Sequence, residues 1–244
     1  MVVSGCAVYV PTVPSTPLLR NKGEVEATIA VRNLSSLEAG AAWSPVSHVL
    51  LTGEAALQTS KGSETYNNVT TNYRNVHRQV GIGVGTYRLL GKDQSTYLGI
   101  VGGVGVANVD VYNTRVLPYP TPVVRYQASY LRYYGQGYVA RQNAWGSYGM
   151  SLRGTVVDYR QLLRAGVPLD TAAHFFVEPT LFVRVGRGAL QAVGTLGFSI
   201  PSYLVPLNTE RRIMSPVTSL VSVGVVVRPH LLWRKASAGP LPMD

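Results

Sequence analysis

The sequence predicts an all-β fold: a closed antiparallel transmembrane β-barrel of about ten strands, with long loops on one side and short turns on the other. Three observations lead there. The first is residues 78–107, two halves around the turn Gly91-Lys92-Asp93-Gln94. Val80, Ile82 and Val84 keep one parity and Gly81, Gly83 and Gly85 the other; after the turn, Leu98, Ile100, Val104 and Val106 alternate with Gly99, Gly103 and Gly105. A period of two marks a strand with two different faces, and the pair reads as a β-hairpin. A soluble sandwich turns its apolar face inward and shows water a charged or Thr-rich one. A face of nearly bare glycine suits a narrow, crowded barrel interior, with the apolar face turned to lipid. The second observation is composition: 14% charged and 46% hydrophobic residues, with 25 Gly and 15 Tyr, far below the usual charge content of a soluble domain. The third is that connection lengths sort by side, as the strands taken in order show.

Strand one covers residues 23–32, where Val25, Ala27, Ile29 and Val31 alternate with Glu24, Glu26, Thr28, Ala30 and Arg32. Residues 33–36 turn the chain into strand two, 37–44, with Leu37, Ala39, Ala41 and Trp43 against Glu38, Gly40, Ala42 and Ser44. Pro45 ends it. Strand three, 49–59, sets Val49, Leu51 and Leu57 against Thr52, Glu54 and Gln58. Residues 60–77 read as a long polar loop with four asparagines. The opening hairpin supplies strands four and five, and residues 108–124, with Pro118, Pro120 and Pro122, form the next long loop. Strand six, 125–140, has tyrosines on both parities and leaves its facing open. Strand seven, 145–159, sets Tyr148, Met150, Leu152 and Val156 against Ser147, Ser151, Arg153 and Thr155. A long connection, 160–173, leads to strand eight, 174–185, where Phe175, Val177, Leu181 and Val183 alternate with Glu178, Thr180 and Arg184, and Phe182 breaks the pattern. Strand nine is 189–200 and strand ten 219–229, separated by a long connection at 201–218; residues 231–244 read as an irregular tail. With the N-terminus on the periplasmic side, every long connection falls outside and the short turns inside, the asymmetry of outer-membrane barrels. Closure leaves no unpaired strand edge facing lipid. The organisation is therefore residues 1–22 as an N-terminal motif and Pro-rich tether, 23–230 as barrel, and 231–244 as tail.

A net charge of +10 favours an anionic neighbour. The basic residues are dispersed and no nucleic-acid motif accompanies them, so the expected partner is a lipopolysaccharide or phospholipid surface and not nucleic acid. No apolar run reaches the roughly 18–20 residues of a spanning helix, so a membrane would be crossed by strands. Cys6 is the single cysteine, which excludes an intramolecular disulfide. It closes Val3-Ser4-Gly5-Cys6, an aliphatic residue and two small ones before a cysteine. That pattern is similar to the lipobox at which bacterial lipoproteins are acylated, although only five residues precede Cys6. Pro11, Pro14 and Pro17 follow, a composition for an extended, semi-rigid linker.

Four stretches together resemble the outer-membrane β-barrel lipoproteins of the Bacteroidetes: Val3-Ser4-Gly5-Cys6, the tether Pro14-Ser15-Thr16-Pro17-Leu18-Leu19, Lys22-Gly23-Glu24-Val25, and Val80-Gly81-Ile82-Gly83-Val84-Gly85. The resemblance covers nearly the whole chain. It implies a porin-like outer-membrane barrel anchored by lipid at Cys6, and it carries over no catalytic residue.

Enzymatic signals are sparse. The glycines of residues 99–105 lie within a strand and lack the following helix of a dinucleotide fingerprint. Asn68-Val69-Thr70 fits a glycosylation sequon. His48, His77, His174 and His230 share no metal-ligand spacing, so no cofactor and no metal is expected. His174 stands across an outer loop from Asp158 and Tyr159, the place where a lipid-modifying enzyme of the outer leaflet would hold its base, but no nucleophile accompanies it. Trp43, Tyr97, Tyr126, Tyr138, Trp145, Tyr159 and Trp233 fall near strand ends and read as an aromatic girdle. The interior parity carries Glu54, Arg132, Arg153, Glu178 and Arg184. Because a buried charge needs a partner, these predict an ion network across the lumen in which Arg153 bridges Glu178 and Glu54, with Arg132 alongside. The expected function is a lipid-anchored barrel of the bacterial outer membrane with a filled lumen and a structural or surface-interaction role, with protein or glycan partners possible at the outer loops. A small porin, or an enzyme of the outer leaflet, is the alternative.

Overall fold

The computed structural model describes residues 8–66, 69–113, 124–170, 172–186, 188–202 and 217–236. Ten long strands among them close one antiparallel sheet on itself: β1 (Val25–Arg32), β2 (Ser36–Trp43), β3 (Val49–Tyr66), β4 (Val69–Leu90), β5 (Thr96–Asn113), β6 (Val124–Gln142), β7 (Gly146–Arg164), β9 (His174–Val185), β10 (Leu190–Pro201) and β11 (Thr218–Val227). Each pairs with its neighbours in sequence, β7 with β9, and β1 with β11, so that no edge is left. The two-residue β8 (Val167–Pro168) folds back on the end of β7. The predicted barrel and its strand count are what the chain forms.

The facing follows the alternation. Ile82 is 69% exposed and Val223 64%. Leu98, Ile100, Leu152, Leu181, Leu196 and Val225 share the outward side with them. Through the middle of the wall the outward positions are uncharged, and charge returns only toward the strand ends, as at Arg78 and Arg88 of β4. The even positions of β6 settle the facing that sequence left open: Tyr126, Tyr130, Tyr134 and Tyr138 point inward with Arg132 and Gln136, while Tyr133 points out. The glycine wall is what lets them in. A Cβ on Gly103 would lie 2.5 Å from the Tyr134 ring, and one on Gly99 2.3 Å from the Tyr138 ring. Phe182 breaks its strand's apolar parity because it too faces the lumen.

Three readings of the connections change. Residues 60–77 are mostly strand: β3 and β4 stay in register as far as Tyr66 opposite Val69, leaving only Asn67 and Asn68 between the paired ends. β5 runs on to Asn113 and β7 to Arg164, while 114–123 lie outside the described residues. Once a strand leaves the lipid its outward face needs no apolar residue, so the period-two signal stops while the ladder continues. The C-terminal stretch is not wholly irregular either, since Pro229–Ala236 forms a helix, α1, under the start of β1.

The largest departure is at the other end. Residues 8–19, read as a tether outside the barrel, lie inside it. The chain comes down the lumen and reverses at Asn21-Lys22-Gly23-Glu24, where the Glu24 amide donates to the Asn21 carbonyl (3.4 Å) and the Gly23 amide to the Ser44 carbonyl (2.6 Å). Gly23 has φ +82°, a conformation glycine adopts without steric cost. From there β1 climbs the wall. The beginning of β1 and the end of β11 share the short-turn side, but Val8 and Tyr9 sit in the opposite half, among Val109, Tyr126, Leu162 and Phe176.

Candidate functional site: a lumen filled by the N-terminal segment

Prolines 11, 14 and 17 recur at the three-residue period of a polyproline II helix, which makes no internal hydrogen bonds. Every buried backbone group of such a segment needs a partner from elsewhere. The barrel wall supplies them. The Val13 amide donates to Glu38 Oε2 (3.0 Å) and the Leu18 amide to Glu26 Oε2 (3.5 Å). The carbonyl of Ser15 accepts from Gln136 Nε2 (2.6 Å), that of Thr16 from Arg184 Nη2 (2.5 Å), and that of Pro17 from the Tyr138 hydroxyl (2.8 Å). Side chains anchor the two ends. Leu18 and Leu19 pack with Leu50, Tyr87, Tyr97 and Phe182 in the short-turn half. The Tyr9 ring lies 4.3 Å from that of Phe176 and 5.9 Å from that of Tyr130 in the other half. Each such side chain, fully buried, contributes about 1.5–3 kcal/mol.

Between the two apolar storeys lies a charged one. Glu54 pairs with both Arg132 and Arg153, the latter at 3.4 Å. Both guanidiniums stack on the Tyr134 ring, at 5.0 and 4.5 Å from its centroid, and both reach Thr12 Oγ1, at 2.9 and 3.3 Å. Arg153 also donates to Gln136 Oε1 from Nε and Nη2. The two arginines are 0% and 1% exposed. A second group joins Arg184 and Arg228 on Glu26, at 2.9 and 3.1 Å, and a third pairs Arg32 with Glu38 at 2.5 Å.

Of the expected network, Glu54, Arg132 and Arg153 come together. Glu178 does not bridge to Arg153, although the two are opposite in the β7–β9 ladder. It accepts instead from the hydroxyls of Tyr9 (2.8 Å), Ser199 (3.0 Å) and Thr155 (3.2 Å). Arg153 turns away toward Glu54, which stands on the far wall between it and Arg132. Arg184, assigned no partner from sequence, holds Glu26 and the Thr16 carbonyl. Sequence reasoning placed Glu26, Glu38 and Arg32 on the polar parity without singling them out, and it gave no lumen role to Tyr9 or Thr12. Beside the segment a cavity of about 60 Å3 remains, lined by Thr28, Gly40, Thr195 and Ser222, room for a few waters.

Several further expectations resolve differently. Tyr97, Tyr126 and Tyr138 are lumenal, not girdle residues, and Tyr87, Tyr97 and Tyr138 stack in series at 5.2 and 5.7 Å. Tyr159 packs against the upper lumen cluster. Trp43 and Trp145 do face outward, near the short-turn end. The side chain of Trp233 lies outside the described residues, as do Cys6 and Asn68. His174 packs edge-on against Tyr159 at 5.7 Å, while Asp158 pairs with Arg160 at 3.2 Å. His77 is buried, with Nε2 3.1 Å from the Tyr130 hydroxyl. No cluster of three His, Cys, Asp or Glu side chains suited to a metal occurs among the described residues.

Fold and interior together define a closed ten-stranded transmembrane β-barrel with an apolar outer wall and an occupied polar lumen. No family model matches the chain, and no curated protein matches it. Among solved structures, the crystal structure of CarO2 from Acinetobacter baumannii matches with 10% identity and a TM-score of 0.28, over 84% of this chain and 98% of that one. At that score the likeness carries no argument, and the class stands on the geometry above.

Proposed function

We propose that this protein is a bacterial outer-membrane barrel that does not conduct, its lumen filled by side chains and by its own residues 8–20, with a structural or surface-interaction role. The observation that carries this reading is the set of hydrogen bonds from the wall to the segment's backbone between Val13 and Pro17. Backbone bonding fixes the path of the chain whatever its side chains do. A ten-stranded barrel is somewhat wider than its own side chains fill, and the segment takes up the difference. The outward apolar wall and the long connections of one side favour the outer membrane, where lipopolysaccharide and other lipids surround the wall and the long connections reach protein or glycan partners. The test is planar-bilayer recording of the full chain. Silence at potentials the bilayer tolerates is expected; regular conductance steps would replace this reading with that of a small porin. Acylation at Cys6 belongs to the same proposal on the strength of the Val3-Ser4-Gly5-Cys6 motif alone. The mass of the mature N-terminus should include acyl chains, and an unmodified N-terminus retaining residues before Cys6 would rule the anchor out.

A further inference from the structure

On the outward face of the extended β3–β4 hairpin, three cations stand together. Lys61 is directly opposite Arg74 in the ladder, and Arg78 is on the same face four residues along β4. All three are exposed, and none has an ion-pair partner among the described residues. Like charges directly opposite each other destabilise a sheet, so this arrangement is one that an anion would relieve. Asp110, the carboxylate on this face among the described side chains, stands opposite Val76 and is already taken by Arg125, with bonds of 2.8 and 2.5 Å. The Arg125 guanidinium also lies 5.9 Å over the Tyr112 ring, which closes that side. What is left is an open groove of about 510 Å3 lined by Lys61, Asn72, Arg74, Val76, Arg78 and Tyr112, with the Arg125-paired Asp110 also in its wall.

Its height on the wall says what would occupy it. Along β4 the outward residues between Arg88 and Arg78 are Thr86, Val84, Ile82 and Val80. Ten residues at about 3.4 Å, on a strand tilted by about 40°, rise roughly 25 Å, the height of the apolar band of such barrels. Arg78 therefore marks the outer margin of that band, and Arg74 and Lys61 stand just above it, on the side of the long connections. That is the level of lipid headgroup phosphates. Val80 and Ile82 directly below are where acyl chains would run.

Resting on the outer-membrane reading above, we propose that Lys61, Arg74 and Arg78 form a binding site for the phosphates of an acylated glycolipid headgroup in the outer leaflet. The test uses the full chain reconstituted in phosphatidylcholine vesicles containing lipid A in its bisphosphorylated or dephosphorylated form, with lipid retention measured after detergent extraction. The triple variant K61Q/R74Q/R78Q should retain bisphosphorylated lipid A about 100-fold more weakly, given the usual contribution of one surface cation to binding an anionic lipid. R88Q/K92Q, which removes charge at the opposite margin, should retain it like the unaltered chain. Equal retention of the dephosphorylated lipid, or equal loss in R88Q/K92Q, overturns the site. Full displacement by millimolar inorganic phosphate would make it a free-anion site and overturn the lipid assignment. A chain that fails to insert into vesicles, read by its heat-dependent gel mobility, defeats the membrane reading and this site with it, whereas insertion without phosphate preference defeats the site alone.

Discussion

Replacing Glu54 by alanine is expected to destabilise the barrel by about 3–5 kcal/mol, the cost of leaving buried charge without its partner. The loss falls on two guanidiniums at once, since Arg132 and Arg153 both pair with Glu54 and both are almost fully buried. Neither has a second carboxylate among the described ion pairs. Their remaining contacts, with Gln136, Thr12 and the Tyr134 face, supply dipoles and a quadrupole but no negative charge. Glu54→Gln should lose most of the same stability despite its nearly unchanged shape, because the charge and not the volume is what matters. Glu178→Ala should cost less, since its described partners are the neutral hydroxyls of Tyr9, Thr155 and Ser199, and an orphaned neutral donor costs about 1–3 kcal/mol. Urea unfolding in lipid vesicles, followed by tryptophan fluorescence, ranks the three. A loss under about 1 kcal/mol for Glu54→Ala, or a larger loss for Glu178→Ala, would show that the charged storey is not organised around Glu54.

Removing residues 1–20 is expected to turn a silent barrel into a conducting one. The deletion takes Tyr9, Leu18 and Leu19 out of the two apolar storeys and strips Glu38, Gln136 and Tyr138 of the backbone groups they bind. Buried polar groups that lose a partner recruit water, and along the emptied lumen that water is expected to form a continuous column. Asn21, Lys22 and Gly23 remain, so β1 keeps its starting turn. Single-channel recording should show discrete steps absent from the full chain. A second chain, with residues 8–19 replaced by glycine and serine, keeps the length and removes the anchors, and it should flicker open. If both variants keep the heat-dependent gel shift of a folded barrel and both stay silent, the segment is not what closes the lumen.

The membrane-spanning wall was legible in the sequence because lipid imposes a strict rule on it. Each outward position between the two headgroup levels must be apolar, and each inward one is free to be polar or small. The alternation around Val80-Gly81-Ile82-Gly83 and the run of Val221, Val223 and Val225 state that rule residue by residue. Above the lipid the rule lapses, and there the sequence misled: residues 60–66 and 69–77 look like loop because their outward side is polar, while their ladder is unbroken. The parity argument also put Glu54, Arg132, Arg153, Glu178 and Arg184 on the inner face.

Which of those charges meet is decided across the lumen, between strands far apart in sequence, and period two carries no information about that. Arg153 prefers Glu54 on the opposite wall to Glu178 beside it on β9, because Tyr9 comes down from above and, with Ser199 and Thr155, saturates Glu178 first. The same holds for residues 8–20. Their composition determines an extended chain without internal hydrogen bonds, and the sequence alone says no more than that. Only the closed barrel, with a glycine wall that leaves room and with Glu26, Glu38, Gln136, Tyr138 and Arg184 turned into the lumen, provides a place where such a chain finds all its partners at once.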